Sequence, residues 1–207
     1  MRTVFVCDDY AVVYKPHGIP TVPLAGDSSS EGTLLGLVSA QFPEVVSVKG
    51  KNPWEGGALH RLDTATAGLV LFALNQKFYD YMTATQSNGG FEKTYHAGVS
   101  SLSEVPSCIS TYFRAFGKGR KMVKPETSIQ KADSKVLYET RFSRIDDCCI
   151  ECKIVRGFRH QIRSHLAFLG LPIVGDSLYG GKEDSFLHLE CVKISFEYNG
   201  ITQTYTV

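Results

Sequence analysis

The stretch His60-Arg-Leu-Asp-Thr-Ala-Thr-Ala-Gly68 places a base-like imidazole, a guanidinium and a carboxylate within four positions. That combination suits catalysis by a positioned acid or base. A polar turn follows, then the apolar run Leu69-Val-Leu-Phe-Ala-Leu74, bounded by Gly68 and Asn75, which has the length of a buried strand. A carboxylate just ahead of a core strand is held by a rigid element yet can face a cleft, a sound position for a catalytic group. The same residues also fit a plain turn, with the side chains of Asp63, Thr64 and Thr66 bonding nearby backbone amides. Within these nine residues both readings stand.

Other chemistries find no support. The chain has no G-x-x-x-x-G-K-[ST] phosphate loop, no H-E-x-x-H and no G-x-S-x-G. His160 and His165 are five apart, a spacing that does not put two ligands on one helical face. Gly175-Asp-Ser-Leu178 resembles the nucleophile block of one hydrolase class in four letters. In that class the block lies near the N-terminus, whereas here it falls late, in a Gly-rich turn ending Tyr179-Gly-Gly181. Cys149 and Cys152 make a C-x-x-C, but the alternating segment around them turns the two to opposite faces. No second Cys or His pair sits at zinc-ribbon distance, so core cysteines are the better reading and no metal is expected.

Composition sets the class. With 207 residues, 43% hydrophobic and 21% charged, the chain suits one globular domain, expected here over residues 1–207, and needs no disulfides to stand. The net charge of +1 does not announce a nucleic-acid partner, so any basic binding surface must be local. Residues 117–135 supply one. They hold Lys118, Arg120, Lys121, Lys124, Lys131 and Lys135 against Glu126 and Asp133, an excess of four positive charges. That loop fits phosphate tracking and equally fits a solvated surface. The N-terminus does not resemble a signal peptide and no apolar run reaches the length of a membrane span, so the expectation is a cytoplasmic protein with reduced cysteines.

The elements that must position these groups follow from periodicity. Residues 2–6 and 10–15 read as strands around Asp8-Asp9, and Lys15-Pro-His-Gly-Ile-Pro20 as a rigid loop whose lysine suits a phosphate or a carboxylate. Residues 21–31, with Ser28-Ser-Ser30, read as a mobile loop, 33–42 as a helix, and 48–57 as an approach to His60. A helix is predicted over 76–86, ended by Asn88-Gly-Gly90. Strands are predicted over 91–99 and 136–156, the latter in two pieces joined at Asp146-Asp147. Lys93 and Tyr95 share a face of the first of these. Arg159–Leu169 reads as a helix with Arg159 and Arg163 one turn apart. The end reads as a hairpin turned at Asn199-Gly200. The class is α+β, rich in strands and poor in helices.

One family has this set of motifs in this order. His60-Arg-Leu-Asp-Thr-Ala-Thr-Ala-Gly68 resembles the H-R-L-D-x-x-T-S-G signature of the RluA-type pseudouridine synthases. Lys15-Pro-x-Gly18, Lys93-Thr-Tyr95 and Arg159-His-Gln-Ile-Arg-Ser-His-Leu166 agree as well, the last continuing into Gly170-x-Pro-Ile-Val-Gly-Asp176 and Leu178-Tyr-Gly180. Gly119-Arg-Lys-Met122 is similar to the family's basic block and Phe186-Leu-His188 to its C-terminal Leu-His element. The resemblance implies a pseudouridine synthase fold, a long mixed, mostly antiparallel sheet with flanking helices and loops around a central cleft. It implies isomerisation of uridine to pseudouridine in structured rRNA or tRNA, without cofactor or metal, by a protein taken here as a monomer.

Carried over by the resemblance, Asp63 is the catalytic aspartate and Tyr95 contacts the target base. Arg163 pairs with Asp63, and Arg61 helps hold the target nucleotide out of its helix. From the local basic concentration, Lys118, Arg120 and Lys121 are the expected RNA contacts. Physical chemistry agrees with these roles. A base whose glycosidic bond must be broken and remade has to leave its stack, and an aromatic platform is worth roughly 1–3 kcal/mol to it. The acid must be ionised, which a close guanidinium favours by lowering its pKa about 1–3 units. An arginine stays charged and bonds both oxygens, as a lysine does not.

Two departures stand out. Ala67 replaces the family's usual Ser, with a small effect expected. Phe158 replaces the arginine that commonly precedes the family's Thr-His-Gln-Ile-Arg block, with Arg159 following as the candidate for that phosphate contact. The chain has no room for the separate N-terminal RNA-binding domain of many relatives, so RNA affinity is expected from its own loops. The rival readings are a non-catalytic RNA-binding relative of the same fold and a hydrolase acting through Ser177.

Overall fold

The structure, a computed structural model, describes the chain apart from Ser28 and Ser103. Ser28 of the predicted Ser28–Ser30 loop therefore lies outside the described residues. Among those described, the elements run β1 (Arg2–Val6), β2 (Tyr10–Lys15), α1 (Leu34–Ser39), β3 (Ala67–Ala73), α2 (Gln76–Ser87), β4 (Phe91–Gly98), β5 (Cys108–Phe116), β6 (Met122–Glu126), β7 (Tyr138–Arg144), β8 (Cys149–Ile154), α3 (Gln161–Phe168), β9 (Leu189–Tyr198) and β10 (Ile201–Thr206). The class is α+β, as expected. The chain divides into two compact units, Met1–Phe91 with Cys191–Val207, and Glu92–Glu190.

In the first unit the strand order is β1-β2-β3-β9-β10. The pairs β1–β2, β2–β3 and β9–β10 are antiparallel. Every residue of β3 is buried, as its unbroken apolar run predicts for a strand covered on both faces. α2 starts where Asn75 caps it, its side chain accepting the Phe78 N–H at 2.9 Å, and it buries Phe78, Tyr79 and Met82. Phe78 stacks on Tyr10 with centroids 4.5 Å apart. The β9–β10 hairpin turns at Asn199 and Gly200, both left-handed (φ +53° and +74°), the requirement that makes Asn-Gly so strong a signal. α1 is shorter than predicted. Thr33 caps it and it stops at Ser39, before Pro43.

The second unit is ordered β4-β8-β7-β5-β6, every pairing antiparallel. The basic stretch is not all loop. Its middle is β6, which pairs with β5 into a hairpin. Lys124, Pro125 and Glu126 spoil the apolar alternation, so this strand exists by its pairing, and Pro125 is tolerated because β6 lies at the edge.

α3 begins two residues later than predicted, because His160 adopts a left-handed backbone (φ +54°) that a helix cannot include. The helix is fastened to the strands by His165. This buried ring sits 2.8 Å from Thr111 Oγ1 of β5 and 2.9 Å from Thr140 Oγ1 of β7, with the Gln161 amide donating to Thr140 Oγ1 and to the Glu139 carbonyl. Burial pushes the His165 pKa down from 6.5 to about 4. At neutral pH the ring is uncharged in both states and costs nothing. As pH falls from about 6.5 to about 4, the unfolded chain takes a proton that the fold refuses, so stability is lost, by about 3 kcal/mol at the bottom of that window. Urea unfolding across this range is expected to show a shallower acid slope for His165→Gln than for the natural chain. Equal slopes would place the acid sensitivity elsewhere.

Candidate active site

Asp63 lies in a turn closed by the Thr66 N–H donating to the Asp63 carbonyl at 3.0 Å, and it is half-buried. The backbone on both sides of it is gripped. Thr21 Oγ1 donates to the Leu62 carbonyl at 2.8 Å and accepts the Leu62 N–H at 3.0 Å. The Thr64 carbonyl receives the Gly18 N–H at 2.9 Å and the Lys15 ammonium at 3.2 Å. His17 Nδ1 stands 2.7 Å from the Ala65 carbonyl. These bonds all come from residues 15–21, so the rigid loop read from Lys15-Pro-x-Gly18 is the seat of the aspartate turn. The first residues of the supposed mobile loop, Thr21, Val22 and Pro23, are buried and part of that seat.

Lys15 meets no phosphate. It is fully buried, and its ammonium also donates to the carbonyls of Pro16 (3.0 Å) and Ile19 (2.8 Å). Its three donors thus find three acceptors. Burial draws its pKa down to about 8, while the negative charge of Asp63 acts in the opposite direction. The lysine is therefore a cation at neutral pH, buried within the field of the aspartate.

The neighbours of Asp63 separate by role. His60 Nε2 accepts the Leu71 N–H at 3.1 Å, so the lone pair a base would need is committed to a core strand. The base-like reading of His60 gives way to a structural one. Arg61 is exposed, with Nη1 2.9 Å from Oε1 of Glu55, whose side chain is nearly buried. The approach loop before His60 thus supplies the carboxylate that steadies Arg61. Gly68 ends the stretch in a left-handed conformation (φ +119°), and a Cβ there would stand 2.4 Å from both the backbone N and O of Cys191 on β9. The neighbouring Ala67 is fully buried.

The second unit holds the remaining predicted residues. Tyr95 is buried on β4, directly across the ladder from the buried Cys152 of β8. Lys93, on the same face of β4, donates to the Val155 carbonyl at 3.1 Å. Arg163 makes a buried bidentate pair with Asp176, Nε to Oδ2 at 2.7 Å and Nη2 to Oδ1 at 2.8 Å. A guanidinium carries more donors than these two, so the bond to Asp176 is compatible with a second acceptor. Lys118, Arg120 and Lys121 are exposed at the tip of the β5–β6 hairpin, with Arg120 Nη2 2.9 Å from Asp133 Oδ2.

The Phe158 departure has a physical account. Its ring stacks on Phe113 at 4.9 Å and lies 5.0 Å from Tyr138, completing an aromatic cluster. Arg159 donates through Nη2 to the carbonyls of Arg120 (2.8 Å) and Met122 (3.2 Å). Ser177 is exposed in the turn after Asp176. Among the described residues no cluster of His, Cys, Asp and Glu could hold a metal ion. No helix among them is long and apolar enough to cross a membrane. Reading the sequence assigned no role to Thr21, Asp176 or Tyr179. Asp176 and Tyr179 stood inside a quoted motif, whereas nothing around Thr21 signalled its part.

Comparison with known proteins bears on the whole arrangement. A family model described as RNA pseudouridylate synthase matches residues 9–168. An uncharacterized RNA pseudouridine synthase of Aquifex aeolicus (strain VF5) is 29% identical over 89% of this chain and 58% of its own length. The ribosomal large subunit pseudouridine synthase D of Xylella fastidiosa (strain Temecula1) is 29% identical over 82% of this chain and 49% of its own. The chain therefore spans about half the length of these curated relatives. Among solved structures, human RNA pseudouridylate synthase domain containing 1 shares the fold, with a TM-score of 0.75 at 21% identity over all of this chain and 82% of its own.

The Gly68 contact makes a prediction about the head of β3. Gly68→Ala is expected to destabilise the protein by about 3 kcal/mol or more, because strand backbone cannot yield as a side chain would. The urea unfolding midpoint measures it, and an unchanged midpoint would show that β9 gives way there.

Proposed function

Because this chain belongs to the RNA pseudouridylate synthase family, with the motifs of its RluA type, we propose that it isomerises uridine in RNA to pseudouridine, with Asp63 as the essential acid. The observation that carries the reading is the grip on Leu62, Thr64 and Ala65, which fixes the backbone around Asp63 through bonds that do not use its carboxylate. Catalytic groups need such support, since misplacement by about 1 Å can cost on the order of a hundredfold in rate.

The reaction exchanges the N1–C1′ bond of uridine for a C5–C1′ bond and releases the hydrogen from C5. The base stays in the pocket throughout, so the reading calls on no cofactor and no metal. In this reading Arg61, steadied by Glu55, holds the displaced nucleotide, Tyr95 carries the base, and Arg163 keeps the acid ionised. Lys118, Arg120 and Lys121 meet RNA phosphates. The substrate is structured rRNA or tRNA, and the chain acts as a single catalytic domain, residues 1–207, working as a monomer in the cytoplasm.

Asp63→Asn is expected to fold normally and to lose tritium release from RNA carrying 5-tritiated uridine. Retained release would overturn the assignment of Asp63. Replacing Lys118, Arg120 and Lys121 by alanine is expected to weaken RNA binding and to lower the slope of log affinity against log salt by about two to three. An unchanged slope would move the phosphate contacts to another surface.

A further inference from the structure

The turn Gly175–Gly181 contains the four letters that resemble a hydrolase nucleophile block, and the uses proposed above leave most of it unexplained. Its geometry is that of a bracket. The Asp176 carbonyl accepts the Tyr179 N–H at 3.3 Å and the Gly181 N–H at 2.9 Å, and its carboxylate accepts the Leu178 N–H at 3.2 Å besides binding Arg163. Gly175 is left-handed (φ +79°), and a Cβ there would lie 1.8 Å from the Phe186 carbonyl oxygen, so the turn is seated against neighbouring backbone. From it Tyr179 reaches two places at once. Its ring lies under Arg163, with Cζ 5.3 Å from the centroid. Its hydroxyl accepts the Val123 N–H at 2.9 Å, donates to the Val123 carbonyl at 3.3 Å, and stands 3.1 Å from His160 Nδ1.

Val123 belongs to β6, the edge strand of the basic hairpin, where it pairs with Ala115. In an antiparallel ladder, alternate residues turn their N–H and C=O outward. Val123 is such a residue, because both of its groups are taken by Tyr179, and Ala115 is its counterpart, sending its N–H to Asp133 Oδ2 at 2.8 Å. The tyrosine hydroxyl therefore occupies the place of a further strand. Arg159 adds a second fastening just before it, on the carbonyls of Arg120 and Met122. Both fastenings lead to α3, Tyr179 through Arg163 within the helix and Arg159 from two residues before its start.

We infer that Tyr179 is a positioning residue that holds the hairpin carrying Lys118, Arg120 and Lys121 at a fixed distance from Arg163, so that the phosphate contacts and the uridine pocket engage one RNA in register. The inference rests on the proposed RNA activity, although the clamp itself is a property of the protein alone. Tyr179→Phe is the discriminating change, since it keeps the ring under Arg163 and removes only the hydroxyl.

Three readings test it. In the free protein, amide hydrogen exchange at Val123 and along residues 117–126 is expected to quicken in Tyr179→Phe, while β4 and β8 keep their protection. In the tritium-release assay, KM is expected to rise roughly three- to tenfold, the worth of a neutral hydrogen bond or two, and to change by more than kcat. In a chain already carrying alanine at positions 118, 120 and 121, Tyr179→Phe is expected to add little further, because the clamp then has no charges to place. Unchanged exchange at Val123 would overturn the clamp whatever the RNA does. Quickened exchange with a fall confined to kcat, or with full additivity in the alanine background, would overturn its role in placing RNA. If the natural chain released no tritium, the activity would be at fault, and the exchange data would still decide the clamp.

Discussion

A buried ammonium underlies the first unit. Lys15 closes β2, faces Gly68 across the ladder, and directs its three donors at carbonyls of Pro16, Ile19 and Thr64. An ion removed from water is costly unless every donor is satisfied and an opposite charge lies near. Here the carbonyls satisfy the donors and Asp63 supplies the charge. The arrangement ties one loop to the other, since the carbonyls come from both sides, and the aspartate turn inherits its position from the lysine beneath it. Thr21 and His17 extend the same seat. The exposed ion pairs, such as Arg120 with Asp133, are weaker constraints, because water competes for both partners.

The second unit solves a related problem in another way. Arg163 is buried with a carboxylate of its own, Asp176, in a planar two-point match that fixes direction as well as position. Around it stand an aromatic ring, a left-handed helix cap at His160 and a neutral buried histidine two residues along the helix. His165 shows why such a helix needs polar anchors. Its ring spans two strands through hydroxyl groups, which specify one rotation of α3 where apolar packing alone would tolerate several.

Local signals carried much of this into the sequence. The Asn-Gly hairpin, the unbroken apolar run of β3 and the two strands read within 136–156 are all short-range statements, and these elements stand within a few residues of where they were read. β6 was hidden because its residues are chosen for charge and an edge position, and its pairing with β5 is not written in its own letters. The start of α3 was misplaced by a single left-handed residue. Within the candidate site, the types and order of Arg61, Asp63, Tyr95 and Arg163 could be recognised, chiefly through family resemblance. The supporting contacts could not. Thr21 with Leu62, His60 with Leu71, and Tyr179 with Val123 join a side chain to distant backbone, and such bonds leave no periodicity to detect.

The partner of Tyr95 across the β4–β8 ladder has a consequence for redox behaviour. Cys152 is fully buried, and burial raises its thiol pKa well above the ordinary range. A thiol held protonated and out of solvent is a poor nucleophile toward oxidants and alkylating reagents. The strand that carries Tyr95 thus has beside it a sulfur that behaves as hydrocarbon. Oxidative chemistry will fall first on the exposed Cys108 and Cys148 and leave the buried Cys152 beside Tyr95 untouched.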